Sequence, residues 1–93
     1  MAQNTTITLT AKSWTQLTDA DVTKITFQNI SGYHILIKGT TGATAPTDTT
    51  GSIRANPGQG ELNVFMADLF PGISAARLWA YSDCAVEVFV SHA

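Results

Sequence analysis

Ninety-three residues supply one hydrophobic core and leave no room for a second. Charged side chains make up only 13% of the chain against 44% hydrophobic ones, and the net charge is −2, which excludes a disordered polyelectrolyte. The five basic residues, Lys12, Lys24, Lys38, Arg54 and Arg77, stand singly and form no stripe along a phosphate backbone, so nucleic acid is not an expected partner.

The opening "MAQNTTITLT" lacks the basic start and unbroken apolar stretch of a signal peptide, and no later run reaches membrane-spanning length. Synthesis in the cytosol and no membrane partner are the expectations. "TTITLT" alternates, placing Ile7 and Leu9 on one face and Thr6, Thr8 and Thr10 on the other. "KSWTQL" follows after a bend, with Trp14 and Leu17 read as pointing inward. "VTKITFQN" alternates again: Ile25 and Phe27 inward, Lys24, Thr26 and Gln28 outward. "ISG" reads as a tight turn in which Gly32 is free to take positive φ. In "YHILIK", Tyr33, Ile35 and Ile37 share a face while Leu36 takes the other, so cover on both sides is expected near the middle.

Residues 39–51, "GTTGATAPTDTTG", keep no apolar period and read as a long surface loop, either docked on a partner or a mobile connector. "SIRAN" is a short strand, and Pro57-Gly58 supplies turn chemistry after it. "LNVFMADLFPG" reads as a strand with Leu62, Val64 and Met66 on one face, then one helical turn before Pro71. "RLWAYS" and "AVEVFVSH" close the chain as an antiparallel hairpin. Val86, Val88 and Val90 share one face there, too apolar for anything but a well-paired strand.

The expectation is a single all-β domain over residues 1–93: a small antiparallel β-sandwich or barrel, jelly-roll or Ig-like, of about seven or eight short strands. Trp14 and Trp79 are read as core residues packed with the valine ladder.

Catalytic and metal signatures are weak. His34 and His92 have no neighbour at metal-ligand spacing. Asp19 and Asp21 could begin a Ca²⁺ site, but no further acid or amide completes it, so a solvated turn is expected. "GTTGATAP" lacks the Lys and helix of a phosphate loop. Cys84, the one cysteine, reads as a small buried apolar residue. No enzyme activity, cofactor or metal is expected. The Thr-, Ser-, Asn- and Gln-rich exterior suits burial against protein, because neutral hydroxyls cost less to desolvate than charges. A plain Thr-rich β-protein would show the same composition.

The order "ITLTAKSWTQLT … ITFQNISGYHILIKGTTGATAPT … GSIRANPGQGE … ADLFPG … RLWAYS … VEVFVSHA" resembles small virion-associated β-proteins of tailed bacteriophages and prophages across nearly the whole chain. The resemblance implies a non-enzymatic head decoration (cement) subunit, or another head- or tail-associated structural protein. Its place would be the capsid surface, its partners the major capsid protein or other virion proteins, and a homo-oligomer the expected form. It transfers no active-site residues. The parts of the chain least able to bury themselves are residues 2–10 and 39–51, so intersubunit contact is expected from Thr5, Thr6, Thr8 and Thr10, and from Thr40, Thr41, Thr44, Pro46 and Thr47. The competing expectation is a carbohydrate- or host-surface-binding module of a phage tail or fibre, with Tyr33, Trp79 and Tyr81 as a stacking platform.

Overall fold

The computed structural model describes residues 3–92. Its elements are β1 (Gln3–Thr8), β2 (Ser13–Gln16), β3 (Lys24–Asn29), β4 (Ile35–Thr40), β5 (Ile53–Ala55), β6 (Gly60–Phe65), the single-turn α1 (Met66–Leu69), β7 (Arg77–Ser82) and β8 (Glu87–His92). Two four-stranded antiparallel sheets result, in the orders β1-β8-β3-β6 and β2-β7-β4-β5. The pairs are nested: β1 with β8, β2 with β7, β3 with β6 and β4 with β5. A long two-stranded ribbon wrapped around one interior has that order, which is the jelly roll's. The expected small β-sandwich is the fold.

The interior is aliphatic. Leu9, Leu17, Ile25, Ile35, Ile37, Leu78, Val88 and Val90 are buried together, with Phe27 as the single buried phenylalanine. β8 lies between β1 and β3, so its valines meet the second sheet from a central position. A chain-end strand with that composition is accounted for by this placement. Each such side chain contributes roughly 1.5–3 kcal/mol on burial.

Several expectations change at this level. β7 and β8 do not form a hairpin; they belong to different sheets, and residues 83–86 carry the chain across the sandwich. Both strands have an apolar face, and facing one another across the interior buries both faces. Cys84 sits in that crossing and is exposed. Gly32 does not take positive φ. Its turn is built instead by Asn29, whose Oδ1 accepts hydrogen bonds from the Ser31 amide (3.0 Å) and hydroxyl (2.7 Å). β4 runs on through Gly39 and Thr40, which pair with Leu78 and Arg77, so the loop occupies residues 41–52.

Leu62 is 84% exposed rather than inward. Between Ile25↔Val64 and Phe27↔Glu61 the register slips by one residue, so Leu62 and Asn63 together oppose Thr26. Asn63 adopts φ 47° and donates its N–H to Thr26 Oγ1 at 2.7 Å. This bulge reverses the side-chain alternation. Beyond it, Val64 faces the core, and Met66 is buried in the helical turn.

Three polar or steric features fix how the strands sit. Asn29, fully buried, donates through Nδ2 to the carbonyls of Tyr33 (2.6 Å) and Ala55 (3.0 Å), and the second of these bonds ties β3 in one sheet to β5 in the other. Gly60 passes so close to β3 that a Cβ there would lie 1.9 Å from the Phe27 carbonyl oxygen. Gly39 likewise leaves the space filled by the Phe70 ring, 2.7 Å from where its Cβ would be. Gly60→Ala is therefore expected to destabilise the fold by about 1–3 kcal/mol, since backbone and not a side chain must move. Asn29→Leu should cost roughly 1–3 kcal/mol for each carbonyl it strands. Urea titration followed by far-UV circular dichroism measures both.

Candidate binding surfaces

The titratable groups do not converge. Asp21 accepts a hydrogen bond from Arg77 Nε at 2.7 Å, while Asp19 Oδ1 lies 3.3 Å from the buried His92 Nε2. The two carboxylates lie in an exposed bend, as expected, and from it reach β7 and β8, one strand of each sheet. His34 is exposed at the start of β4. Among the described residues, no three His, Cys, Asp or Glu side chains gather where they could hold a metal. Two surfaces stand out for recognition.

The first comprises the predicted contact residues, which the fold divides. Thr5, Thr6 and Thr8 are exposed on β1, an outermost strand of its sheet, and Thr10 is exposed in the bend after it. That bend passes through Lys12 at φ 58°. Thr41, Thr44 and Thr47 are exposed in the β4–β5 loop, with Pro46 half-buried. β5, at the end of this loop, is the outermost strand on the other side from β2, to which β1 is joined. The two groups therefore form separate surfaces. Thr40 is internal to the fold: its Oγ1 accepts the indole N–H of Trp79 at 2.8 Å and donates to the Gly42 carbonyl at 2.6 Å.

The second surface is the outer face of β2-β7-β4-β5. With Leu78 and Ala80 inward, Trp79 and Tyr81 must point outward from β7. Cross-strand register then builds rows: Trp14, Tyr81, Leu36 and Arg54 in one, Gln16, Trp79 and Lys38 in the next. Trp79 is buried, as expected, but on this face and not within the aliphatic cluster, whereas Trp14 is only half-buried. Along β2, Trp14 and Leu17 lie three residues apart, which on a strand means opposite faces. With Leu17 buried in the core, Trp14 had to face outward, and that spacing is the signal the sequence reading overlooked.

The two indoles differ in access. Trp79 is 6% exposed, held by Thr40 and flanked by Gln16 and Lys38. Lys38 Nζ reaches Asp48 at 3.2 Å and brings the β4–β5 loop against this row. Trp14 is half-buried and packs on Tyr81, ring centroids 5.4 Å apart and planes tilted by 48°. Beside Tyr81 is a depression of about 250 Å³ lined by His34, Leu36, Thr49, Tyr81, Ser82 and Asp83. Tyr33, 60% exposed in the preceding turn, makes no ring contact with this group. Of the predicted platform residues, Tyr81 is available, Trp79 is covered, and Trp14 takes its place.

Single-tryptophan variants separate the two sites. Trp79→Phe leaves Trp14, whose emission should be red-shifted and quenched by acrylamide. Trp14→Phe leaves Trp79, expected to emit further to the blue and to resist quenching. Thr40→Val, which strands the buried indole N–H, should lower stability by about 1–3 kcal/mol in urea titration.

Comparison with known proteins identifies no relative: no family model, no curated protein and no solved structure matches this chain.

Proposed function

We propose that this chain is a non-enzymatic structural subunit of a tailed-phage virion, a head decoration or cement protein that binds the capsid lattice and stabilises the particle. The observation that carries the reading is the β1 edge, six residues of neutral side chains with backbone polar groups facing away from the rest of the sheet. An edge of this kind can be buried against another protein without desolvating any charge. The β4–β5 loop offers a second surface, with Thr41, Thr44 and Thr47 outward and its one charged side chain, Asp48, paired with Lys38. The resemblance of the strand and turn pattern to phage virion proteins supplies the biological setting. The jelly roll agrees with it by analogy only, since folds host many functions.

A decoration subunit acts by mass action. Bound preferentially to the mature lattice, it lowers the free energy of that state at every site it occupies. A specific contact buries roughly 1,200–2,000 Å² in total, which one edge and one loop of so small a domain can supply together.

A second reading rests on the outward Trp14–Tyr81 pair and the adjoining depression with His34, Thr49 and Asp83. Aromatic faces beside neutral and singly charged hydrogen-bonding groups suit a sugar ring, as in a host-surface-binding module of a tail or fibre.

Cryo-electron reconstruction of particles carrying this chain distinguishes the two. Density for it on the capsid lattice, lost together with heat resistance when residues 41–52 are replaced by a Gly-Ser linker, is the expected result. Density only at a tail tip, with glycan-array binding abolished by Tyr81→Ala, would establish the second reading in its place.

A further inference from the structure

The sandwich has four outermost strands, and three are poorly suited to accept another strand. β6 carries the bulge at Leu62 and Asn63, with the left-handed Asn63 turning its N–H back onto Thr26. β5 is three residues long and bears Arg54. β2 is four residues long and follows directly on the left-handed Lys12. Such devices blunt an edge against pairing. β1 has none: "QNTTIT" pairs with β8 in continuous register over six residues, without charge, proline or bulge.

The alternation of its hydrogen bonds can be assigned. Leu9 N–H donates to the Val86 carbonyl at 2.7 Å, so Leu9, Ile7, Thr5 and Gln3 face β8 with their backbone groups. Asn4, Thr6 and Thr8 consequently direct their N–H and C=O groups to the open side. Consistently, the next residue of this set, Thr10, turns its N–H outward to Thr15 Oγ1 at 3.3 Å.

We infer that a second copy of this chain pairs antiparallel along β1, about a two-fold axis passing beside Thr6. The spacing is self-complementary. With Thr6 opposite the partner's Thr6, Asn4 meets the partner's Thr8, and every outward N–H and C=O of the three residues finds a counterpart. The same register sets Thr5 against the partner's Ile7 on the inner face, covering an isoleucine that is half-exposed in one copy. A charged strand could not pair with itself in this way, because like charges would meet at the axis. The contact is narrow, so association depends on concentration. It uses the same β1 edge that carries the virion reading, but isolated protein tests it without reference to a particle, so either can fail without the other.

Sedimentation equilibrium of the full chain should show a mass rising from one chain to two with concentration. Thr6→Lys and Thr6→Glu should each remain monomeric, and an equimolar mixture of the two should recover the dimer. In wild-type protein, amide exchange at Asn4, Thr6 and Thr8 should slow with rising concentration, while Thr5 and Ile7 are protected throughout. A mass of one chain at every concentration, a dimer that survives both substitutions, or exchange at Thr6 that ignores concentration would overturn the inference.

Discussion

Everything in this molecule depends on the last strand being laid between the first and the third. β8 is hydrogen-bonded on both sides, and its valines occupy the middle of the interior. The nested pairs β2–β7, β3–β6 and β4–β5 continue the same ribbon to the loop at its tip. Nearly all of these pairings join residues far apart in sequence. Loop-closure entropy must be overcome before they return anything, which makes slow, cooperative folding the physical expectation.

Wrapping a ribbon forces the chain to cross between sheets repeatedly, and the crossings explain where the polar residues went. Asn29 bonds to Ser31 and Tyr33 within one such crossing and, through the Ala55 carbonyl, ties β3 to β5. Asp19 and Asp21 serve the β2–β3 crossing by reaching one strand from each sheet. Asp19, Asp21 and His92, weighed as metal ligands in the sequence, here join the β2–β3 crossing to both layers. Among what faces outward are a neutral edge at β1 and an aromatic row on the second sheet. Both are suited to contact with other molecules, one through main-chain groups and the other through ring faces.

Much of this was legible beforehand. Period-two alternation marked Ile25 and Phe27, Ile35 and Ile37, and the valines of β8, and all of them are buried. Pro57-Gly58 marked its turn, and Gly58 takes φ 83° there. Misreadings arose where alternation was broken or where its sense was ambiguous. The bulge at Asn63 turned Leu62 outward. Indoles are large and apolar, but strand parity with Leu17 and Leu78 puts Trp14 and Trp79 on the face away from the aliphatic cluster, where Trp79 is buried and Trp14 only half-buried. Thr40 looked like loop surface but proved to be the partner of an indole N–H.

Local sequence thus determined the strands, their apolar faces and most of their turns, because those depend on φ/ψ preference and side-chain period within a few residues. It also determined that the exterior would be sparsely charged. Which strands pair was decided only in three dimensions. A strand with an apolar face can bury it beside its neighbour in a hairpin or against its neighbour across a core, and β7 and β8 chose the second because that alone covers both faces at once. The same tertiary choice left β1 at the edge of its sheet, with the backbone groups of one side unpaired.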